Sequence, residues 1–217
     1  FDGSIAPAVS VDTLPEVPAT ADGPGWGIAP AGAQFTFFDG TESSSYPDST
    51  LSVYPAAGFA AVGAGAGQEL AALKTLIASQ SANSKDQIPE VPIINAAQVI
   101  RGAVKYLTLA DGGKGVRFLT FYAQDLSVAS NQNLHYEFRG FSADGSHYVT
   151  AQFAVRSTAL PDTVDYSALE QQFSVDGAYD QYLADVTTKL TGLPSDQFTP
   201  NLDQLDALVQ SIEFPKG

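Results

Sequence analysis

The sequence predicts an α+β domain, in which a central antiparallel sheet, a meander of hairpins, carries helices packed against it behind an extended N-terminal arm. Three observations predict this. Runs of β-forming residues in the middle of the chain are followed by terminal helical periodicities, which disfavours an alternating, parallel arrangement. Neighbouring strand-like runs are joined by short turn sequences, DGGKG at 111–115 and ADGS at 143–146. Residues 1–33 are rich in Pro, Ala and Gly and carry no clear helical or strand period, so they read as the arm, and residues 34–217 read as one α+β domain.

Taken in order, QFTFF (34–38) is a strand by its β-forming residues, and a polar loop, DGTESSSYPDS, follows. STLSVYP (49–55) is the next strand, with Leu51 and Val53 on one face and Pro55 at its end. A Gly-rich stretch, GAGAGQ, leads into a helix over about 68–80, whose Leu70, Leu73, Leu76 and Ile77 recur at spacings of three and four. Ile88-Pro89 and Val91-Pro92 hold the chain extended, because residues before proline avoid the helical region. A long strand over 98–109 turns at DGGKG and returns as VRFLTFYA (116–123).

The next hairpin is the most sharply specified part. Asp144-Gly145 is a type I′ turn signal, and a two-residue turn there sets the register. Gly140, Phe138, Tyr136 and Leu134 then face Val149, Ala151, Phe153 and Val155, an apolar layer for the core. His135, Glu137, Arg139 and Phe141 fall on the opposite face beside Ala154, Gln152, Thr150 and Tyr148, which reads as a solvent-facing layer. Two helices close the chain. One spans about 177–190, with Asp176 as cap and Gly192 as stop. The other spans about 202–211, with Asn201 as cap and Leu202, Leu205, Leu208 and Val209 inward, before an extended stub at 212–214.

Composition narrows function. The chain has 24 Asp and Glu against 10 Lys and Arg, and no two cations are adjacent. A nucleic-acid backbone needs clustered cations, so nucleic acid is excluded as a partner, and an anionic membrane surface is disfavoured on the same ground. No apolar run reaches the ~18 residues of a membrane span. There is no Cys, so disulfides and thiolate metal sites are ruled out. The absence of Met and the start at Phe1 point to a processed or trimmed chain.

The chemical motifs are sparse. Gly63, Gly65 and Gly67 do not match the G-x-G-x-x-G spacing, no Lys-Ser or Lys-Thr follows, and Glu69 would repel phosphate, so they read as a flexible lead-in to the helix and no cofactor is expected. His135, Glu137 and Arg139 at alternate positions are the most functional-looking cluster, since a base beside a carboxylate can move a proton. No serine stands convincingly beside them, and cross-strand pairing on an exposed sheet face explains them equally. Phe141 and Tyr148 add rings next to these charges, and Trp26 sits between two glycines in the arm. Asp39, Glu42 and Asp48 in one loop and Asp162, Asp165 and Asp176 around another lack the calcium-loop spacing, so no metal is expected.

Several stretches taken together, LSVYPAAGFAAV, ELAALKTLIA, VPIINAAQVI, GVRFLTFYAQD, YEFRGFSADGSHYVTAQFAV and FTPNLDQLDALVQSIEF, resemble a group of bacterial secreted proteins and lipoproteins found in Chloroflexota-like organisms. The resemblance covers about residues 49–214 and implies an extracytoplasmic, cell-surface domain with no assigned reaction. The layout is more distantly similar to PsbP- and LpqN-type α-β-α domains. This chain has no Cys to carry a lipid. The expected function is a non-enzymatic binding or surface-assembly module whose arm contacts a protein partner or neighbouring copies. Alternatives are a small-ligand or carbohydrate binder using Trp26, Phe141 and Tyr148 with His135, Glu137 and Arg139, or a hydrolase using His135 and Glu137.

Overall fold

A computed structural model of the protein describes residues 5–38, 49–81, 87–164, 167 and 169–215. Seven strands form one antiparallel sheet: β1 (Ala8–Leu14), β2 (Gly32–Phe38), β3 (Ser49–Pro55), β5 (Gly102–Thr108), β6 (Lys114–Thr120), β8 (His135–Phe141) and β9 (His147–Ala154). They lie side by side as β1-β2-β3-β9-β8-β6-β5. Two meanders, β1 to β3 and β5 to β9, thus meet where β3 pairs with β9. Two-stranded ribbons pair β4 (Ala97–Gln98) with β7 (Tyr122–Ala123), and β10 (Arg156–Ser157) with β11 (Phe198–Thr199). The α+β class with an antiparallel sheet is as the sequence predicts.

Part of the N-terminal stretch has a regular period after all. β1 falls inside residues 1–33 and pairs with β2 from Ala8↔Phe38 to Leu14↔Gly32. The chain then crosses back through a bridge between Val17 and Ala29.

The hairpin register matches the sequence reading at every pair from His135↔Ala154 to Phe141↔Tyr148. The turn differs in type. Gly145 has φ of 70°, but Asp144 is not among the residues with positive φ. The Gly145 N–H donates to the Ser142 carbonyl and Asp144 Oδ1 accepts from the Ser146 N–H, which describes a type I turn in a four-residue loop. Such a loop between Ser142 and His147 leaves the same residues opposite one another as a two-residue turn at 144–145, so the register survives.

Helices cover both faces of the sheet. After a short α3 (Leu169–Gln172), α4 (Ala178–Gly192) and α5 (Leu202–Gln210) lie on one face and bring Val186, Leu190, Leu205 and Val209 against Leu119, Tyr136, Phe138 and Phe153. Asn201 caps α5 as its sequence suggests, its Oδ1 accepting from the Asp203 N–H at 2.8 Å. The α4 cap is Gly177, at φ 79°, rather than Asp176, and Gly192 is the last helical residue.

The second face is covered because the link from β3 to β5 must traverse the sheet. It carries α1 (Gly58–Val62), α2 (Ala64–Ser79) and the extended segment around 88–93. Phe59, Leu70, Leu73, Ile77, Ile88 and Val91 from this link pack on Tyr54, Val116, Phe118, Phe141 and Tyr148. Each of these large side chains, once buried, contributes roughly 1.5–3 kcal/mol. The layer expected to face solvent is therefore an interior, and every residue of β8 is buried.

Candidate functional site

Alternation along β8 aims His135, Glu137, Arg139 and Phe141 at this second interior. His135 is 8% exposed, Glu137 3% and Arg139 0%. Their expected solvent-facing placement is corrected by the crossing link above them. The prolines of Ile88-Pro89-Glu90-Val91-Pro92 keep that segment extended, so its carbonyls are free of any helix and point at the sheet. Arg139 Nη1 donates to the carbonyls of Ile88, at 2.6 Å, and Pro89, at 2.9 Å. Its Nη2 donates to the Tyr122 hydroxyl at 2.6 Å and lies 3.1 Å from Glu90 Oε2 and 3.8 Å from Glu137 Oε2. The guanidinium also stands over the Phe118 ring, 5.0 Å from its centre.

The electrostatics follow from burial. Loss of water pushes the Glu137 carboxyl up to about 8, with Arg139 opposing and Glu90 reinforcing the rise. Glu90 is raised by burial too, with Arg139 opposing. Burial lowers His135 to about 4, so its ring is neutral near pH 7. Burial alone would weaken the Arg139 charge, but Tyr122, Glu90 and Glu137 more than reverse this. Among the described residues, four buried polar atoms have no hydrogen-bond partner: His135 Nδ1, Glu137 Oε1, Arg139 Nε and the Tyr148 hydroxyl.

The six residues singled out from the sequence are thus only partly brought together. Glu137 and Arg139 share one cluster, and Arg139 and Glu137 both act electrostatically on Tyr148. Phe141 and Tyr148 lie 5.6 Å apart, ring to ring, but are sealed in the second core with Tyr54 and Phe59. His135 sits beside the Tyr122 ring, 6.4 Å away. Trp26 is 47% exposed on the β1–β2 connection and belongs to neither core. The three rings expected to form a binding platform do not form one surface.

Glu90 and Tyr122 complete the cluster and carry no local sequence signal, because they stand 49 and 17 positions from Arg139 (139 − 90 and 139 − 122). The opposite face holds a second buried cluster, also unannounced by any motif. Asp206 of α5 accepts from Arg117 Nε at 2.9 Å, Arg117 Nη2 at 3.0 Å, Lys105 Nζ at 2.8 Å and the Tyr136 hydroxyl at 2.9 Å.

Among the described residues no group of three or more His, Asp and Glu is placed to hold a metal ion. Asp39, Glu42, Asp48 and Asp165 lie outside the described residues. Among the described residues no helix is long and apolar enough to cross a membrane. No protein-family model, no curated protein and no solved structure matches the chain.

Proposed function

We propose that this chain is a non-enzymatic binding module of the extracytoplasmic surface, which takes an extended segment of a protein partner along the outer edge of β1. The observation that carries this reading is the edge itself. β1 is seven residues long, pairs with β2 on one side and has no strand on the other among the described residues. An unpaired row of N–H and C=O groups is a template for adding a strand. Large exposed apolar side chains gather on the same stretch: Val11, Val17, Trp26 and Phe38 all belong to residues 8–38. Export rests on the resemblance to bacterial secreted proteins and lipoproteins. A binding role is favoured over hydrolysis because His135 and Glu137 are buried, 8% and 3% exposed.

Peptide-display selection on the intact chain tests the reading. The expected winners are extended peptides whose binding slows hydrogen exchange of the β1 amides and weakens about tenfold in Val11→Lys, which sets a charge on the edge. Sedimentation over a concentration series asks whether a neighbouring copy supplies the strand; if so, Val11→Lys abolishes the association. Peptides that bind Val11→Lys as tightly as the parent chain, leaving β1 exchange unchanged, would refute the edge as the site.

A further inference from the structure

The geometry points to a second site, independent of the β1 edge: a cavity beside α4 that takes an apolar α-amino acid, side chain inward and charged head at the mouth. The cavity measures about 480 Å³, within the range of small-molecule pockets. Its floor is Val128, Leu160, Leu169 and Val186, all buried. Its mouth carries Asp185 and Lys189, one helical turn apart on the same face of α4 and both exposed.

Charge complementarity selects the occupant. Asp185 and Lys189 form no ion pair with each other. Lys189 Nζ is drawn instead to the Ala159 carbonyl, at 2.6 Å, while Asp185 Oδ1 accepts from Gln181 Nε2 at 2.8 Å. Among the described residues, the ammonium keeps two further N–H donors and the carboxylate a second oxygen. A carboxylate and an ammonium held apart over an apolar floor match a zwitterion whose own charges are separated in the opposite sense. The chain's net charge of −14 disfavours approach of a simple anion, whereas a zwitterion carries no net charge for that field to act on.

The test titrates the intact chain with L-phenylalanine and L-leucine, following calorimetry and amide chemical shifts. Controls are N-acetyl-L-phenylalanine, which lacks the ammonium, L-phenylalaninamide, which lacks the carboxylate, and 3-phenylpropionate. The expected result is saturable one-to-one binding of the amino acids, about tenfold weaker for each control. Lys189→Gln should weaken phenylalanine about tenfold and leave the amide unchanged; Asp185→Asn should weaken phenylalanine and leave the N-acetyl compound unchanged. Val186→Trp, which fills the floor, should abolish binding. The two exposed substitutions keep the test open should Val186→Trp fail to fold. No saturable signal up to roughly 10 mM, or 3-phenylpropionate binding as tightly as phenylalanine, would overturn the assignment.

Discussion

Asp206 shows how one side chain can hold a helix to a sheet. It is 2% exposed, and its carboxylate takes two parallel hydrogen bonds from Arg117, one from Lys105 and one from Tyr136. Burial by itself would raise its pKa, but the Arg117 and Lys105 hydrogen bonds win and hold it below the ordinary carboxyl range. A depressed carboxyl pKa stabilises the fold above the unfolded value, and that stability is lost as pH falls through the folded one. Asp206→Asn should therefore cost about 3–5 kcal/mol in urea unfolding near pH 7, because the buried Arg117 charge loses its partner. Lys105→Met should cost no more than about 1 kcal/mol, since that side chain is half exposed. Equal losses in the two variants would mean that the bidentate Arg117 pair is not what anchors α5.

At the scale of elements, Gly63, Gly65 and Gly67 are not a loose lead-in. Gly63 caps α2, and the other two lie inside its first turns. A Cβ on Gly67 would come within 3.0 Å of Ala60 Cα, whereas one on Gly65 meets nothing within 4 Å. The glycine at 67 thus allows α1 to pack closely on α2, while the one at 65 only costs backbone entropy. Gly65→Ala should stabilise by roughly 0.5–1 kcal/mol, and Gly67→Ala should gain nothing or lose stability, as thermal unfolding would register. Identical gains at both positions would remove the packing argument. The elements readable from the sequence are those whose cause is local: the Asp144-Gly145 loop that sets the β8–β9 register, the Asn201 cap, and the Leu spacing of α2. β1 does show alternation, Val9-Ser10-Val11-Asp12, but prolines on both sides mask it and its partner strand begins 18 positions after it ends (32 − 14). The burial of His135, Glu137 and Arg139 was not legible, because alternation sorts side chains to two faces and says nothing of what covers each. That depends on where the β3–β5 link runs.

For the whole molecule, a sheet covered on both faces keeps ionisable groups out of water, and its stability becomes a record of their protons. Facing Glu137 are Arg139 and His135 on its own strand, Glu90 on the crossing segment, Tyr122 on β7 and Tyr148 on β9. The folded chain holds a proton on Glu137 up to about pH 8, while an unfolded glutamate releases it near 4.5. It also keeps His135 neutral down to about pH 4, while an unfolded histidine takes a proton near 6.5. A raised carboxyl pKa makes stability fall as pH climbs towards 8; a lowered histidine pKa makes it fall as pH drops below 6.5. Between about 4.5 and 6.5 the two nearly cancel, since both states then carry one proton on this pair. Between 6.5 and 8 Glu137 is the member of this pair that titrates differently in the two states, so stability should decline by up to about 1.4 kcal/mol per pH unit. Glu137→Gln imitates the protonated acid. It should level the profile above pH 6.5 and expose the His135 loss below it. His135→Asn should do the reverse, extending the decline from pH 4.5 to 8. Urea titrations across pH 4–9 measure all three, and parallel curves for the parent chain and Glu137→Gln would show that this carboxyl keeps no proton in the fold.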